Sequence, residues 1–329
     1  MKAVNSVSTF VGVDVAKDSL EIYLPYAKQN MSVENSIGSI NDLCLQLKKK
    51  RKLMVVMEAT GGYEKLLVNQ LAKHGIAASV VNPRQVRDFA KGIGMDAKTD
   101  PIDAQVISKF ASVVQPNAMA AKSDHEQKHS ALVTRRAQLL DLITQEKNRL
   151  KQSLDVDVKQ SIREMLETLD KQLKNIDSQL ARLIACDSKN ARKIEILTSA
   201  RGVGTVTIST LVAYLPELGE MNRGQVAKLV GVAPINRDSG KSNGKRFIGG
   251  GRAHVRKVLY MATLASIRHN PIIKAFYQHL KAKGKESKVA IVACMRKLIT
   301  ILNLLIKNDE LWKNAESVSA KTETLSGVH

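Results

Sequence analysis

The chain has 329 residues, enough for two or three domains, and its hydrophobic fraction of 44% is that of a globular protein. Arg296 and Lys297 interrupt its best candidate for a membrane span, and its three cysteines have no metal-ligand spacing, so we expect a cytoplasmic protein with no membrane partner. The net charge of +20 is uneven: residues 1–121 carry 15 basic and 11 acidic side chains, residues 122–185 carry 12 and 10, and residues 186–329 carry 24 and 10. This excess favours a polyanionic partner such as DNA or RNA and a nucleoid-associated location, although charge alone is also compatible with a merely basic soluble protein.

Short apolar and alternating segments with helical segments between them fill residues 9–112. Period-two or β-branched runs predict strands at residues 9–15, 19–24, 30–33, 53–60 and 77–81. Helical spacing predicts helices at residues 37–49 and 63–74. An antiparallel meander followed by strand–helix–strand units is typical of a mixed sheet with helices on its faces, as in the ribonuclease-H type of α/β domain.

Residues 124–185 contain neither glycine nor proline, and leucines recur there at helical spacing among mixed charges. The pattern predicts two long helices, interpreted as a coiled-coil hairpin that turns near residues 155–158. An ordinary helical spacer is the simpler interpretation. Either form would set the distance between two domains or join two protomers.

The last part of the chain is predicted to be mostly α-helical. Residues 194–215 indicate a helix, a tight turn and a second helix, as in a helix-hairpin-helix, and further helices are expected at residues 222–230, 253–269 and 288–307. A glycine-, serine- and lysine-rich loop spans residues 233–252. We therefore expect an α/β plus α architecture: an N-terminal domain over residues 1–121, a helical spacer over 122–185, a C-terminal domain over 186–313 and a polar tail over 314–329.

Two carboxylates occupy strands that are otherwise suited to burial. Asp14 lies near the end of the first strand and Glu58 near the end of the other central strand. Burying a charge is costly unless something pairs with it, and neighbouring like charges call for a cation. Asp100 and Asp103 share a helix face three residues apart, so four carboxylates would suit Mg²⁺, with Mn²⁺ as a substitute. For the last two, a simple N-terminal capping role is an alternative, because proline follows Asp100.

A second group of candidate residues lies in the basic part of the chain. Residues 222–257 hold nine lysines and arginines against one acid, and Ser239 sits among them in a flexible turn. Such a serine is commonly just a turn residue, but neighbouring cations could hold a phosphate for nucleophilic attack. No histidine is close in sequence to act as its base. The candidate nucleic-acid contacts are Arg201, Gly202, Gly204, Arg237, Lys241, Lys245, Arg246 and Arg252.

Taken as a set, these motifs resemble the IS110 class of insertion-sequence transposases with a RuvC-like DEDD domain, a class that includes Piv-type DNA invertases. The matching segments, in order, are Val-Gly-Val-Asp14, Met-Glu58-Ala-Thr-Gly, Lys-Thr-Asp100-Pro-Ile-Asp103-Ala, Arg201-Gly-Val-Gly, the Val-Gly-Val-Ala-Pro run that ends at residue 234, Arg237-Asp-Ser239-Gly, Gly-Gly-Arg252 and Met-Arg-Lys-Leu298. The resemblance covers residues 9–112 and 194–307, and the middle helices match only in character.

The resemblance implies that Asp14, Glu58, Asp100 and Asp103 bind Mg²⁺ and that Ser239 attacks DNA to form a phosphoserine link. It also implies composite sites across protomers in a tetramer of two dimers, and a structured bridge RNA that pairs with donor and target DNA. Transposition and site-specific inversion both remain open, as does the need for RNA. Two further alternatives are a RuvC-like structure-specific nuclease, which needs only the acids, and a non-catalytic nucleic-acid-binding protein, which needs neither acids nor serine.

Overall fold

The computed structural model describes residues 7, 9–50, 52–95, 100–119, 123–235 and 246–312, with Asp100 and Pro101 described by their backbone alone. The chain divides into two compact units, Met1–Ala121 and Lys122–His329. The predicted mixture of an α/β part and a mainly helical part is confirmed.

The first unit is built on one mixed sheet. Its strands are β1 (Thr9–Val15), β2 (Ser19–Leu24), β3 (Gln29–Glu34), β4 (Leu53–Glu58) and β5 (Ala77–Val81). Their order is β3-β2-β1-β4-β5, with β2 antiparallel to both of its neighbours and β4 parallel to both of its own. The predicted antiparallel meander and the parallel strand–helix–strand units are therefore both present.

Four helices accompany this sheet: α1 (Ile37–Lys48), α2 (Glu64–Lys73), α3 (Pro83–Gly92) and α4 (Asp100–Val114). Helix α3 was not predicted from the sequence. It begins where the Asn82 side chain accepts a hydrogen bond from the Arg84 amide, with Pro83 in the first helical position. Asparagine before proline is a recognised start signal for a helix, and here it was interpreted only as the end of a strand.

The two faces of the sheet pack against different helices because side chains alternate along each strand. Odd-numbered residues of β1, such as Val11 and Val13, join a core with α1 and α2. Even-numbered residues, such as Phe10 of β1 and Val56 of β4, join a second core with α3 and α4. Position along a strand therefore determines which helices each strand residue faces.

The second unit begins with the two long helices predicted from composition, α5 (Asp124–Gln152) and α6 (Val156–Ala185). Ser123 and Glu126 form a reciprocal capping box at the start of α5, and the Asp155 side chain caps α6. Between them the two helices share a cluster of buried apolar side chains: Val133, Leu139, Ile143, Leu169, Ile176 and Leu180.

The rest of the second unit consists of six helices and a two-stranded hairpin within the described residues. These elements are α7 (Ala191–Ser199), α8 (Thr205–Tyr214), α9 (Arg223–Val230), β6 (Pro234–Ile235), β7 (Phe247–Ile248), α10 (Ala253–His269), α11 (Pro271–Ala282) and α12 (Ser287–Asn308). Helix α11 was not predicted from the sequence; it begins with another asparagine–proline pair at residues 270–271.

Among the described residues, α12 is the one helix that is both long enough and apolar enough to cross a membrane by length and composition. Half of the most apolar 18-residue stretch of α12 is buried inside the fold, and the helix packs against α7, α9, α10 and α11. Cys294, Leu298 and Leu302 are each fully buried in the main core of the unit. The apolar character of α12 is thus explained by its position at the centre of this core.

Candidate active site

Asp14 and Glu58 lie side by side at the carboxyl ends of the two central strands. The parallel register pairs Val13 of β1 with Met57 of β4, so the next residues are neighbours across adjacent strands. Both positions are even-numbered, and both side chains therefore point to the face covered by α3 and α4. Each is half-buried. The expectation that two acid-bearing strands run next to each other is met.

Helix α4 crosses this face close to β1 because residue 12 is glycine. A Cβ on Gly12 would overlap the Ala104 carbonyl oxygen and would lie 2.6 Å from the Ser108 amide nitrogen. The Ser108 hydroxyl also donates a 2.6 Å hydrogen bond to the Phe10 carbonyl. A glycine in a buried strand is thus the residue that allows a helix backbone to rest directly on the strand.

These contacts fix the direction of α4, because Phe10 and Gly12 meet Ser108 and Ala104 in reverse order. Two strand residues and four helix residues both advance by roughly 6 to 7 Å. Asp14 is therefore level with the start of α4, where Asp103 lies in the first turn. The fold thus brings Asp103 and the backbone of Asp100 towards the end of the sheet that carries Asp14 and Glu58.

The described carboxylates suit a hard divalent cation by their chemistry, since Mg²⁺ takes oxygen ligands. None of Asp14, Glu58 and Asp103 lacks an interaction partner. Among the described side chains, no three histidine, cysteine, aspartate or glutamate groups are close enough to hold a metal ion. The Asp100 side chain lies outside that description, so the four-carboxylate site stays a prediction.

The loop that follows Glu58 is held in shape by Glu64. Its carboxylate accepts hydrogen bonds from the Thr60 hydroxyl at 2.7 Å and from the Gly62 amide at 2.9 Å. Burial would raise the pKa of Glu64, but these hydrogen bonds together lower it below its usual range. Gly61 and Gly62 adopt φ values of 82° and 140°, which disfavour any other residue. The turn beside Glu58 is therefore rigid and specific in sequence.

Asn35 ties the two carboxylate-bearing strand ends together. Its side-chain amide is within hydrogen-bonding distance of the Ala16 carbonyl, at 3.0 Å, just after β1. It is also 3.3 Å from the Tyr63 carbonyl in the loop after β4. No local pattern predicts this role, because the residues that Asn35 joins are 19 and 28 positions away from it in the chain. Asn35 and Glu64 are the positioning residues that sequence reasoning missed.

Ser239 lies outside the described residues, as do Arg237, Lys241 and Lys245. The base of their loop is described: β6 pairs with β7 through Pro234↔Ile248 and Ile235↔Phe247. Behind this hairpin, the Arg256 guanidinium donates to the Gly250 carbonyl at 2.5 Å and to the Val230 carbonyl at 3.3 Å. The two stems of the loop are thus fastened to each other, and Arg246, which is exposed, belongs to the second stem.

Arg252, a predicted nucleic-acid contact, is engaged within its own unit. Its guanidinium forms two 2.6 Å hydrogen bonds to the Glu217 carboxylate and one of 2.8 Å to the Tyr214 carbonyl. Burial raises the pKa of Glu217, but the bond from Arg252 and the local backbone outweigh it, so the pKa is lowered. These bonds account for Arg252 as a residue that holds the segment before α10 against α8.

The tight turn predicted around Arg201 is present between helices α7 and α8. Gly202 has a φ of 96°, and a Cβ there would lie 2.6 Å from the Ser266 amide nitrogen of α10. The Arg201 carbonyl accepts a 3.2 Å hydrogen bond from the Ser266 hydroxyl. Gly202 is therefore required by close packing on α10. The Arg201 side chain is exposed and Gly204, the N-cap of α8, faces open space, so both could still contact a phosphate.

Comparison with known proteins gives these sites a context. A family model described as "Transposase", for the DEDD domain of IS110 elements, matches residues 11–157. A second, described as "Transposase IS116/IS110/IS902 family", matches residues 194–278. The first match includes all four predicted acids, and the second includes Arg201, Ser239 and Arg252.

Individual relatives agree with the two domain matches. The chain is 27% identical over 311 residues to the pilin gene-inverting proteins of Moraxella lacunata and Moraxella bovis, a match that covers 92% of this chain and 96% of each relative. It is 22% identical over 164 residues to the insertion element IS110 43.6 kDa protein of Streptomyces coelicolor, covering 49% of this chain and 39% of that protein. The two matches therefore show transposase domains of the IS110 family, whose enzymes cleave and rejoin DNA strands.

Proposed function

We propose that this transposase cuts and rejoins DNA with Mg²⁺ bound by Asp14, Glu58, Asp100 and Asp103, and with Ser239 as its nucleophile. The observation that carries the proposal is the placement of Asp14 and Glu58 on neighbouring strands, both facing the helix that bears Asp103. Carboxylate oxygens are the ligands that Mg²⁺ takes in proteins, and bound Mg²⁺ would stabilise the charge that develops in phosphoryl transfer. Mn²⁺ is expected to replace Mg²⁺.

The fold supports a RuvC-like assignment for the first unit. The strand order β3-β2-β1-β4-β5 with β2 alone antiparallel to its neighbours is that of the ribonuclease-H type of sheet. We assign residues 1–121 to this catalytic domain and residues 122–185 to a coiled-coil spacer. Residues 186–313 would form the serine-containing domain, and residues 314–329 a polar tail. The shared apolar cluster of α5 and α6 supports the coiled coil.

Asp14, Glu58, Asp100 and Asp103 would hold the Mg²⁺, which would supply positive charge at the scissile phosphate. The Ser239 hydroxyl attacks phosphorus, so that an Oγ–P bond forms and one P–O bond to a sugar breaks. The serine proton leaves through a neighbouring group and reaches the departing sugar oxygen. Attack by a sugar hydroxyl on the phosphoserine reverses these changes and rejoins DNA, and the energy of the phosphodiester bond is kept throughout.

Donor and target DNA are the proposed partners, together with a structured bridge RNA that pairs with both. The strongly basic second half of the chain supports nucleic-acid binding. The proposed phosphate contacts are Arg201, Arg246 and the lysines of the loop over residues 236–245 that contains Ser239, called the serine loop below. Composite sites between protomers would need at least a dimer, and we expect two dimers to form a tetramer. The expected location is the cytoplasm, in association with the nucleoid.

Site-specific inversion is the second candidate, and the relatives favour it in one respect. The pilin gene-inverting proteins align over 96% of their length, whereas the IS110 protein of Streptomyces coelicolor aligns over 39% of its length. Both outcomes use the same cleavage and rejoining chemistry. They differ in how the two cut sites are arranged on DNA, so the distinction is between substrates and leaves the assigned residues unchanged.

The decisive experiment compares Asp14→Asn, Ser239→Ala and the control Asp88→Asn, which alters an exposed acid of α3. Labelled DNA is incubated with each full-length variant and Mg²⁺, and protein–DNA adducts are resolved on denaturing gels. We expect adducts from the wild type and the control only. Adducts formed by Ser239→Ala would exclude Ser239 as the nucleophile. If cleavage is lost with Asp14→Asn and kept with Ser239→Ala, the protein would be a nuclease. Sequencing of co-purified RNA tests the guide, and a discrete species is expected.

A further inference from the structure

A cavity of about 550 Å³ lies at the opposite end of β1 from Asp14, between the sheet and α4. Its lining includes Phe10 of β1, Tyr23 of β2 and Tyr26 in the turn that follows, and three polar residues of α4: Gln105, Lys109 and Ser112. The volume is within the range of small-ligand sites, roughly 300 to 1,000 Å³. The catalytic proposal uses none of these side chains.

The cavity has aromatic walls on one side and polar groups on the other. Tyr23 pairs with Gly12 across the antiparallel register, so its ring points to the face covered by α4. Tyr26, in the turn after β2, is 43% exposed. Gln105, Lys109 and Ser112 are spaced four and three residues apart, which places them on one stripe of α4. An aromatic ring system with hydrogen-bonding edges matches this arrangement.

Positive charge borders the cavity. The Lys50 ammonium lies 4.8 Å from the centre of the Tyr26 ring, and Lys109 is exposed. Lys50 belongs to an uninterrupted basic run over residues 48–52, which the catalytic proposal leaves unused. The Thr9 amide donates to the Lys52 carbonyl, so this run ends beside the first residue of β1, which also lines the cavity. An anionic ligand with an aromatic group is therefore favoured over a neutral one.

We propose that this cavity binds an unstacked nucleotide of single-stranded nucleic acid. The base would stack on Tyr26 and Tyr23, its polar edge would face Gln105 and Ser112, and the flanking phosphates would meet Lys50 and Lys109. Aromatic stacking with a basic border is the general solution for binding single strands without reading their sequence. Stacking of one base on one aromatic side chain contributes roughly tenfold or more to affinity.

The position of the cavity suits a strand that continues to the catalytic acids, so the inference rests on and extends the proposed function. Tyr23 is two residues from Glu21, the antiparallel partner of Asp14. Two strand residues span about 7 Å. A single strand held by Tyr23 would therefore reach the carboxylate edge within a few nucleotides. The cavity would hold a displaced strand or a guide in place while the neighbouring phosphate is cut.

The test uses the full chain and 12-nucleotide thymidine or uridine oligomers that carry one 4-thio base. After irradiation, mass spectrometry measures the yield of crosslinks to Tyr23. Tyr26→Ala and Lys109→Glu should each reduce this yield about tenfold, whereas Tyr26→Phe, which keeps the ring, should restore it. Leu45→Ala is the control, since Leu45 is 55% exposed on α1, which packs on the other face of the sheet. The oligomer that gives the higher yield of crosslinks to Tyr23 identifies DNA or RNA as the ligand.

Asp14→Asn separates this inference from the catalytic one, because it should abolish cleavage and leave the Tyr23 crosslink intact. Crosslinks that map only outside the cavity, or a yield unchanged in both Tyr26→Ala and Lys109→Glu, would overturn the nucleotide site. Loss of cleavage by Asp14→Asn would stand in that case. Lys109 and Tyr26 are exposed enough for their variants to fold, and melting curves of each variant verify it.

Discussion

Replacing Gly12 by alanine tests the contact that places α4 over the catalytic end of the sheet. The new Cβ would lie 2.6 Å from the Ser108 amide nitrogen and still closer to the Ala104 carbonyl oxygen. Ordinary contact distances are about 3.5 Å, so α4 must retreat by roughly 1 Å. Because the obstructing atoms are backbone, no side-chain rotation can relieve the overlap. Overpacking of this kind costs about 1–3 kcal/mol, and 1 Å of misplacement can cost about 100-fold in catalysis.

Gly12→Ala should therefore lower the melting temperature by roughly 5–15 °C and reduce DNA cleavage by about 100-fold. The matched control is Gly38→Ala in α1, where an added Cβ meets nothing within 4 Å. Alanine is favoured over glycine inside a helix, so this variant should melt at the wild-type temperature or slightly above it. Calorimetry and a cleavage time course give both readouts. A Gly12→Ala protein as stable and as active as the control would refute the close packing of α4 on β1.

Three further predictions concern stability. Arg252→Ala should lower the free energy of unfolding by about 1 kcal/mol in urea titrations, whereas alanine at the exposed Arg223 should leave it unchanged; equal effects would contradict the Glu217 bridge. Because the pKa of Glu217 is lowered in the folded state, its stabilisation exists above the unfolded pKa and is lost as pH falls through the folded value, a loss that Arg252→Ala should diminish. Burial lowers the pKa of His129 despite nearby Asp187, so His129 takes up a proton at a higher pH in the unfolded chain than in the folded one. The free energy of unfolding should therefore fall as pH drops below about 6.5. A His129→Leu protein with the same pH dependence would exclude this cause.

The elements with a strong repeating pattern could be predicted from the sequence. The alternation in β1 and β2 and the absence of glycine and proline from α5 and α6 reflect burial on one face, which a local pattern records directly. The missed helices, α3 and α11, share one cause. Both begin with an asparagine that caps the helix and a proline in its first turn, and neither pair was recognised as the start of a helix.

The candidate site was predictable to the extent that strand parity determines it. Asp14 and Glu58 stand at corresponding positions of two apolar strands, so adjacency of the strands was enough to pair them. Asn35 and Gly12 were not predictable, because their roles depend on backbone groups that are distant in the chain. The partner of Arg252 was missed for the same reason, since Glu217 lies 35 residues earlier.

The fastened stems of the serine loop have a consequence for protein engineering. Residues 236–245 connect β6 to β7 in the sequence. The described base of this connection is held by Arg256 and by the Arg252 amide, which donates to the Leu229 carbonyl at 2.8 Å. A Cβ on Gly251 would overlap the Gly231 backbone, and a Cβ on Gly231 would overlap the Gly250 carbonyl, so the base depends on glycines outside residues 236–245. We therefore expect that residues 236–245 can be replaced by the corresponding loop of a relative without any change to the core that carries them.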